Sequence, residues 1–343
     1  MHPTRFDSLR DLAKLPWFEL RDGRLAVSDP SVGKVIDTHT HLALSFVKKN
    51  QLDLRALHPR TEHYLPEERA LDLDPYQNRN FSRDDLKRME KDLAFGALTA
   101  GGMRRTHTTA NLAREMDDLH VVRSVLLPID WPVLSDNAGD WLKAQAGDAH
   151  FVGFGSVHPW NPHPARELDR QIALGARGIK VHPAVQLVKP DGGRALALYR
   201  LCGERGLPVF WHCGPVDIEP PLGRYLSQVR HYEKAIAENP GTTFVLGHSG
   251  ALQLDTGLGF AKKYPNVWLE VASQGLPAVR RLVAEAPPGK LMFGSDWPFY
   301  HQAIGIAKVC IATEHDEAAR RALLHDNAAR LLGLDRGATV ADS

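Results

Sequence analysis

The stretch Val35-Ile-Asp-Thr-His-Thr-His41 decides the fold, because an apolar run passes directly into two histidines that share one face. Four later stretches repeat this design and also end in side chains that can bind metal: Gly178-Ile-Lys-Val-His182, Val209-Phe-Trp-His212, Val245-Leu-Gly-His248 and Phe293-Gly-Ser-Asp296. Short apolar runs flanked by glycine or proline are typical of buried parallel strands. The sequence therefore predicts parallel strands that carry metal-binding groups at their carboxyl ends, as a metalloenzyme would.

Strand and helix patterns alternate along the rest of the chain. The predicted strands are 34–41, 121–128, 151–158, 176–182, 208–212, 243–248, 267–271 and 291–296. Helical patterns cover 164–174, 192–205, 222–239, 252–264, 274–286 and 317–332. Such alternation indicates parallel pairing with right-handed crossovers, and the strand ends of a parallel barrel converge on one face. We expect an α/β fold, a distorted (β/α)8 TIM barrel.

One connection is much longer than the others. Residues 45–120 separate the first predicted strand from the second and include a Pro-rich, charged piece (58–75) and a helix at 82–98. We call residues 45–120 the lid segment and expect it to hold an inserted lid plus the first barrel helix, with 1–33 as an N-terminal extension and 34–343 as the barrel. Arg104 and Arg105 in this segment are candidates for gripping a substrate carboxylate, or parts of a solvated linker.

Composition narrows the choice of partners. Among 343 residues, 42 Lys and Arg nearly balance 41 Asp and Glu, so no nucleic acid or acidic membrane surface is expected. A small-molecule substrate is the expected partner. Three cysteines without CxxC spacing fit free thiols in a reducing compartment, and residues 1–20 show no signal-peptide core. We expect a cytoplasmic location.

The ordered set of motifs resembles the amidohydrolase superfamily, and its amidohydrolase 2 branch in particular. The residues that carry this resemblance are the HxH pair at His39 and His41, Ile179-Lys-Val-His-Pro183, Gly247-His-Ser-Gly250, Gly294-Ser-Asp-Trp-Pro298 and Asn327-Ala-Ala-Arg-Leu-Leu-Gly333. The branch holds metal-dependent hydrolases and non-oxidative decarboxylases similar to the aminocarboxymuconate semialdehyde enzyme. Dimers are common in it, which makes a homodimer an expectation.

The resemblance implies roles for individual residues. His39, His41, His212 and Asp296 would be metal ligands, and Asp296 would also accept a proton from the water that the metal activates. His248 would be a second metal's ligand or an acid/base group beside that water. Imidazole and carboxylate suit Zn²⁺ best here, with Mn²⁺, Fe²⁺ or Co²⁺ as alternatives.

Lys180 decides between one ion and two. In two-metal relatives a lysine on strand four is carboxylated by CO₂ and bridges the ions, whereas in one-metal relatives it would bind a substrate carboxylate as a cation. Both roles of Lys180, the carboxylated bridge between two ions and the cation that binds a substrate carboxylate, stay open. His182 lies on the same strand face as Lys180 and is a candidate for substrate contact, as are His158 and Trp297.

Three functions follow from these patterns. The first is a hydrolase that attacks a lactone, ester or amide of a small, carboxylated or aromatic substrate. The second is a non-oxidative carboxy-lyase that protonates a ring carbon as CO₂ leaves. The third is a metal-binding barrel without catalysis.

Overall fold

The structure, a computed structural model, describes residues 2–98 and 101–335. All eight predicted strands are present, and we number them β1 to β8 in chain order. They are β1 Val35–Thr40, β2 Val121–Leu126, β3 Phe151–Gly153, β4 Ile179–Val181, β5 Val209–His212, β6 Phe244–Gly247, β7 Val267–Glu270 and β8 Leu291–Met292. Each is one to five residues shorter than the predicted run.

The strands form two parallel arcs, β1-β2-β3 and β4 to β8 in consecutive order. Single parallel bridges join the arcs, one between Gly155 and Ile179 and one between Thr40 and Trp297. At the second seam the His41 amide donates to the Trp297 carbonyl over 2.7 Å, and the Asp296 amide donates to the His39 carbonyl over 2.8 Å. The predicted α/β TIM-barrel fold is confirmed, and the seam that joins its first and last strands passes through the candidate site.

Helices lie between consecutive strands in the chain and after the last strand. They are α1 Arg83–Phe95, α2 Thr109–Asp118, α3 Asn137–Ala144, α4 Pro164–Ala173, α5 Pro183–Gln186, α6 Gly193–Glu204, α7 Pro221–Leu226, α8 Glu233–Glu238, α9 Leu254–Lys263, α10 Leu276–Glu285, α11 Gln302–Ala312, α12 Glu317–Arg321 and α13 Asn327–Leu332. Helix α1 belongs to the lid segment and starts with a capping box between Ser82 and Asp85. None of the helices in the described part of the chain combines the length and apolar character needed to cross a bilayer.

Three of the predicted helices are interrupted or shortened in the structure. The predicted helix 222–239 divides into α7, a 3-10 turn at Val229–His231 and α8, because the Ser227 carbonyl accepts a hydrogen bond from the Gly214 amide instead of continuing a helix. The predicted helix 252–264 begins only at Leu254, after a 3-10 segment with left-handed residues. The predicted helix 317–332 contains a π-turn at Ala322–Asp326.

Residues ahead of β1 add two short antiparallel pairings. Phe18–Arg21 pairs with Arg24–Val27, and Arg5–Phe6 pairs with Leu71–Asp72 of the lid segment. Leu12 and Trp17 from this region are buried in the large cluster between the strands and their surrounding helices. A second cluster fills the barrel interior, where Phe210, Trp268 and Met292 meet Ala328 and Leu332 of α13.

Candidate metal centre

The site lies where the interior-facing side chains of the barrel change from apolar to polar. Phe210 and Trp268 belong to the interior cluster, and His212 and Glu270 stand two residues further along the same strands. Because strand side chains alternate, residues two apart share a face, so these polar groups point into the barrel at its carboxyl end. Above them is a cavity of about 470 Å³. Its floor is lined by His39, His41, Lys180, His182, His212, His248 and Asp296.

Three of these residues form a compact ligand set. His41 Nε2 lies 3.4 Å from Asp296 Oδ1, and His39 Nε2 lies 3.6 Å from the same oxygen. One ligand atom from each of the three residues lies within 4.8 Å of the other two. Two imidazole nitrogens and one carboxylate oxygen at such separations suit a single divalent ion. The structure thus brings together three of the ligands that the sequence predicts.

Hydrogen bonds fix which nitrogen of each imidazole is free. His39 Nδ1–H donates to Glu270 Oε2 over 2.9 Å, His41 Nδ1–H donates to the Leu127 carbonyl over 2.7 Å, and His248 Nδ1–H donates to the Ala272 carbonyl over 3.2 Å. The Nε2 atoms therefore carry the lone pairs that a metal or a substrate could bind, and that of His39 faces Lys180 Nζ at 3.2 Å. Orientation by an outer partner of this kind is typical of metal-binding histidines.

Burial keeps these imidazoles neutral. It lowers the pKa of His39 and His212 well below the usual value, and it lowers the pKa of His248 to about 4. Burial alone would raise the pKa of Asp296, but its contact with His41 outweighs burial and lowers it. Neutral imidazole and ionised carboxylate are the forms that bind metal.

An unpartnered atom of His212 independently indicates that the site binds a ligand. Its Nε2 atom is buried and has no hydrogen-bond partner among the described residues, which is costly for a polar atom unless something binds it. Its ring stacks on that of His182 with centroids 4.0 Å apart and 7° between the planes. The residues present therefore fit a divalent cation, and His182 lines the cavity as expected.

Lys180 is completely buried in the floor rather than placed along the cavity wall. Its Nζ lies 3.2 Å from His39 Nε2, and its ammonium stands 4.9 Å from the Phe210 ring centroid. Burial lowers the pKa of Lys180 to about 7, against the opposing charges of Asp296 and Glu270. The side chain therefore sits among the imidazoles as a group that loses its charge easily.

His248 and Asp296 both hold left-handed backbone conformations, with φ of 59° and 67°. Such conformations are uncommon outside glycine and concentrate at functional sites. Ser273 Oγ donates to Asp296 Oδ2 over 3.3 Å. Tyr300 also lines this corner of the cavity, and burial raises the pKa of its phenol well above 10, so it remains an O–H donor there.

Glu270 is a site residue that the sequence reasoning missed. Its Oε2 accepts hydrogen bonds from His39 Nδ1 and from the His248 amide, which ties two site histidines to β7. Burial raises the pKa of Glu270 to about 8. A carboxylate at the end of the apolar run Val267–Leu269 was the available signal, because that placement matches the other strands.

Arg104 and Arg105 of the lid segment do not line the cavity. Arg104 is 2% exposed and donates to the carbonyls of Leu44 and Gly96 and to Asn50 Oδ1. Arg105 is exposed and lies 3.6 Å from Glu62. The carboxylate grip therefore stays a prediction, and in this structure Arg104 uses its guanidinium to hold backbone carbonyls while Arg105 faces solvent.

Trp297 and His158 also lie away from the cavity floor. Trp297 is fully buried, and its Nε1–H donates to Glu115 Oε2 over 2.8 Å. His158 bonds through Nε2 to the Gln186 carbonyl over 2.9 Å and accepts at Nδ1 from the Trp160 amide. Their substrate contacts stay a prediction, and in this structure the polar side-chain atoms of both residues bond to other parts of the protein.

Comparison with known proteins gives a family. A family model described as Amidohydrolase (Amidohydro_2) matches residues 36–334, which is most of the chain. No curated protein matches the chain. The family match covers every floor residue of the cavity.

Solved structures with the same fold are only distantly similar in sequence. An uncharacterised TIM-barrel protein from Bordetella bronchiseptica has 18% identity and a TM-score of 0.58, covering 88% of this chain and 98% of that one. A dihydroxybenzoic acid decarboxylase from Polaromonas sp. JS666, with bound manganese and 2-nitroresorcinol, has 17% identity and a TM-score of 0.58, covering 90% and 99%. A protein named a probable 2-pyrone-4,6-dicarboxylic acid hydrolase from Acinetobacter baumannii, with citric acid bound, has 15% identity and a TM-score of 0.54, covering 88% and 99%. At these identities the likeness establishes the TIM-barrel fold.

Proposed function

This chain belongs to the Amidohydrolase (Amidohydro_2) family, a metal-dependent enzyme family with hydrolase and decarboxylase members, and we propose that it is a hydrolase. Its target would be a lactone, ester or amide bond in a small, carboxylated or aromatic substrate. The cavity above the ligand set has the size of a small-molecule site. A homodimer and a cytoplasmic location stay predictions.

The ion would be held by His39, His41 and Asp296, with His212 turned toward the same floor. Zn²⁺ is the ion we propose, and Mn²⁺, Fe²⁺ and Co²⁺ suit the same nitrogen and oxygen donors. When bound, such a cation polarises a carbonyl group and lowers the pKa of water. The protein's own part is to keep the imidazoles neutral, to hold their free nitrogens inward and to exclude bulk water.

Asp296 would act as the proton acceptor. Its Oδ1 faces His39 and His41, while its Oδ2 accepts a hydrogen bond from Ser273, so the carboxylate is held at the edge of the cavity in a fixed orientation. A carboxylate held in this way can take a proton from an attacking water and pass it to the leaving group.

The position of Lys180 is the observation that carries hydrolysis. Its amine lies on the floor, 3.2 Å from His39 Nε2, with His212 and His248 also lining that floor. An uncharged lysine amine there can add to CO₂ to give a carbamate and a proton, and the carbamate oxygens would serve two ions. Lys180, His212 and His248 would then hold the second ion.

Decarboxylation is the second candidate. The observation in its favour is that His248 is tied at Nδ1 to Ala272 and lines the cavity with its Nε2 lone pair available, so this atom could take a proton from water and pass it to a substrate carbon. The fold likeness to a dihydroxybenzoic acid decarboxylase supports the same reading.

Metal stoichiometry tests the proposal. Protein purified without chelators and reloaded with Zn²⁺ or Mn²⁺ in bicarbonate should hold two ions per chain, and the variant Lys180→Ala should hold one. The exposed Lys234→Ala serves as the matched control and should keep two ions. Acid release from aryl esters and lactones supports the hydrolase. One ion in wild type, together with CO₂ release from 2,6-dihydroxybenzoate, would support the decarboxylase. Metal binding without release of acid or CO₂ would support a metal-binding barrel without catalysis.

A further inference from the structure

The upper part of the cavity is an apolar wall built largely by the lid segment. Helix α1 contributes Met89 and Leu93, which lie four residues apart on one helix face. Phe46 and Phe81 come from other parts of the lid segment, and Ile218 and Phe299 complete the wall from barrel loops. We call these six residues the apolar wall. A substrate that fills the cavity must place its body against them.

Positive charge is scarce around this cavity. Among the described residues that line it, Lys180 is the only lysine or arginine, and it lies on the floor beside the imidazoles. Arg104 does not line the cavity, and its Nε–H donates a hydrogen bond to the Leu44 carbonyl. The two carboxylates beyond the floor, Glu90 and Glu219, add negative charge to the lining. An anionic group held at the wall would therefore lose water without gaining a cation.

We infer that the substrate carries one anionic or chelating headgroup on an apolar body, and that the apolar wall rejects a second anionic group. The inference rests on the proposed function, because the headgroup is taken to bind at the ligand set of the floor. Burying an unpaired carboxylate is far more costly than burying alkyl or aromatic carbon, which is favourable. The chain therefore differs in expected substrate from its fold relative named for a dicarboxylic acid.

The test is calorimetric titration of Zn²⁺-loaded protein with benzoate, 4-propylbenzoate and isophthalate. The propyl group should tighten binding about tenfold, since each buried carbon adds favourable transfer energy. The second carboxylate of isophthalate should weaken binding about tenfold relative to benzoate, since no cation meets it. Equal binding of isophthalate and benzoate, or no gain from the propyl group, would overturn the inference.

A substitution in the wall gives a second test. Leu93→Arg places a cation opposite the floor, so it should reverse the preference, tightening isophthalate and weakening 4-propylbenzoate by about tenfold each. Ile172→Arg on α4, partly exposed and outside the cavity lining, is the matched control and should leave all three affinities unchanged. If Leu93→Arg fails to fold, the affinities of wild type for the three probes still test the inference.

A failure of the proposed function can be distinguished from a failure of this inference. Zinc content is measured on the same samples, and protein that holds no divalent ion contradicts the metal-dependent hydrolase. The differences among the three probes still report on the wall in that case, because all three share the same benzoate headgroup.

Discussion

Glu270 Oε2 accepts a hydrogen bond from His39 Nδ1 over 2.9 Å, with both side chains almost completely buried. The contact fixes the tautomer in which His39 Nε2 faces the other ligands. Glu270 also accepts from the His248 amide. A single carboxylate on β7 therefore sets the orientation of one proposed ligand and the backbone of another site histidine.

Glu270→Gln should weaken metal binding by about 10- to 100-fold, which is the usual effect of removing an outer partner of a metal ligand. Glutamine keeps the shape but has one acceptor oxygen, whereas Glu270 accepts at Oε2 from His39 and the His248 amide and at Oε1 from the Ala272 amide. Zn²⁺ affinity is measured by competition with a chelating dye. The exposed Glu204→Gln should bind Zn²⁺ like wild type, and an unchanged affinity in Glu270→Gln would mean that Glu270 does not support the ligand set.

Gly294 gives Glu270 the room it needs. A Cβ at this glycine would lie 2.3 Å from Glu270 Oε1 and 2.8 Å from His39 Cβ. Gly294→Ala should therefore displace the pair and reduce both metal affinity and stability. The matched substitution is Gly259→Ala in α9, where an added Cβ meets nothing within 4 Å. That variant should be unchanged or more stable, by up to about 1 kcal/mol. Equal zinc titrations and melting curves for the two variants would contradict this account.

Arg104 should matter for stability rather than for substrate binding. Arg104→Ala removes donors from two buried carbonyls, so the free energy of unfolding should fall by about 3 kcal/mol. Arg105→Ala, at an exposed position, should change it by no more than about 0.5 kcal/mol. Denaturant unfolding measures both. A folded Arg104→Ala protein with normal stability and much weaker benzoate binding would restore the carboxylate grip.

The sequence was sufficient for the barrel because each strand is a short apolar run with its own boundary signals. It was also sufficient to place His39, His41 and Asp296 at strand ends that converge, and their role as ligands stays a prediction. The surroundings of Arg104 and Trp297 could not be predicted in this way. Sequence shows a residue's type and its neighbours in the chain, but the partners of Arg104 are carbonyls up to 60 residues away, and Trp297 bonds to Glu115 in α2. Such contacts are set by the path of the lid segment, which no periodic pattern encodes.

Glu115 marks a second buried charged group, on the far side of Trp297 from the ligand set. Its carboxylate lies 3.1 Å from His63 Nε2 and accepts from Thr61 as well as from Trp297. Burial alone would raise the pKa of Glu115, but the charge of His63 outweighs it and the pKa falls below the usual 4.5. Burial would lower the pKa of His63, but the charges of Glu115 and Glu67 outweigh it and raise the pKa above the usual 6.5.

These opposite shifts predict a stability that depends on pH. The lowered pKa of Glu115 gives stability that is present above pH 4.5 and is lost as pH falls toward its folded pKa. The raised pKa of His63 gives stability that is present below pH 6.5 and is lost as pH rises toward its folded pKa. The free energy of unfolding of wild type should therefore exceed that of Glu115→Gln by the largest amount, about 3 kcal/mol, between pH 4.5 and 6.5. The difference should be smaller below and above this range.

Urea unfolding of both proteins from pH 3 to pH 10 measures this difference. Glu314→Gln is the control, because Glu314 pairs with His2 over 2.7 Å at the surface, where solvent screens the pair and little stability depends on it. A difference between wild type and Glu115→Gln that is constant across the range would show that the glutamate acts through its shape and hydrogen bonds alone, and that His63 is neutral in the folded protein. A maximum between pH 4.5 and 6.5 would show that a buried ion pair anchors His63 to α2 within the lid segment and, through Trp297, to the strand end that presents Asp296.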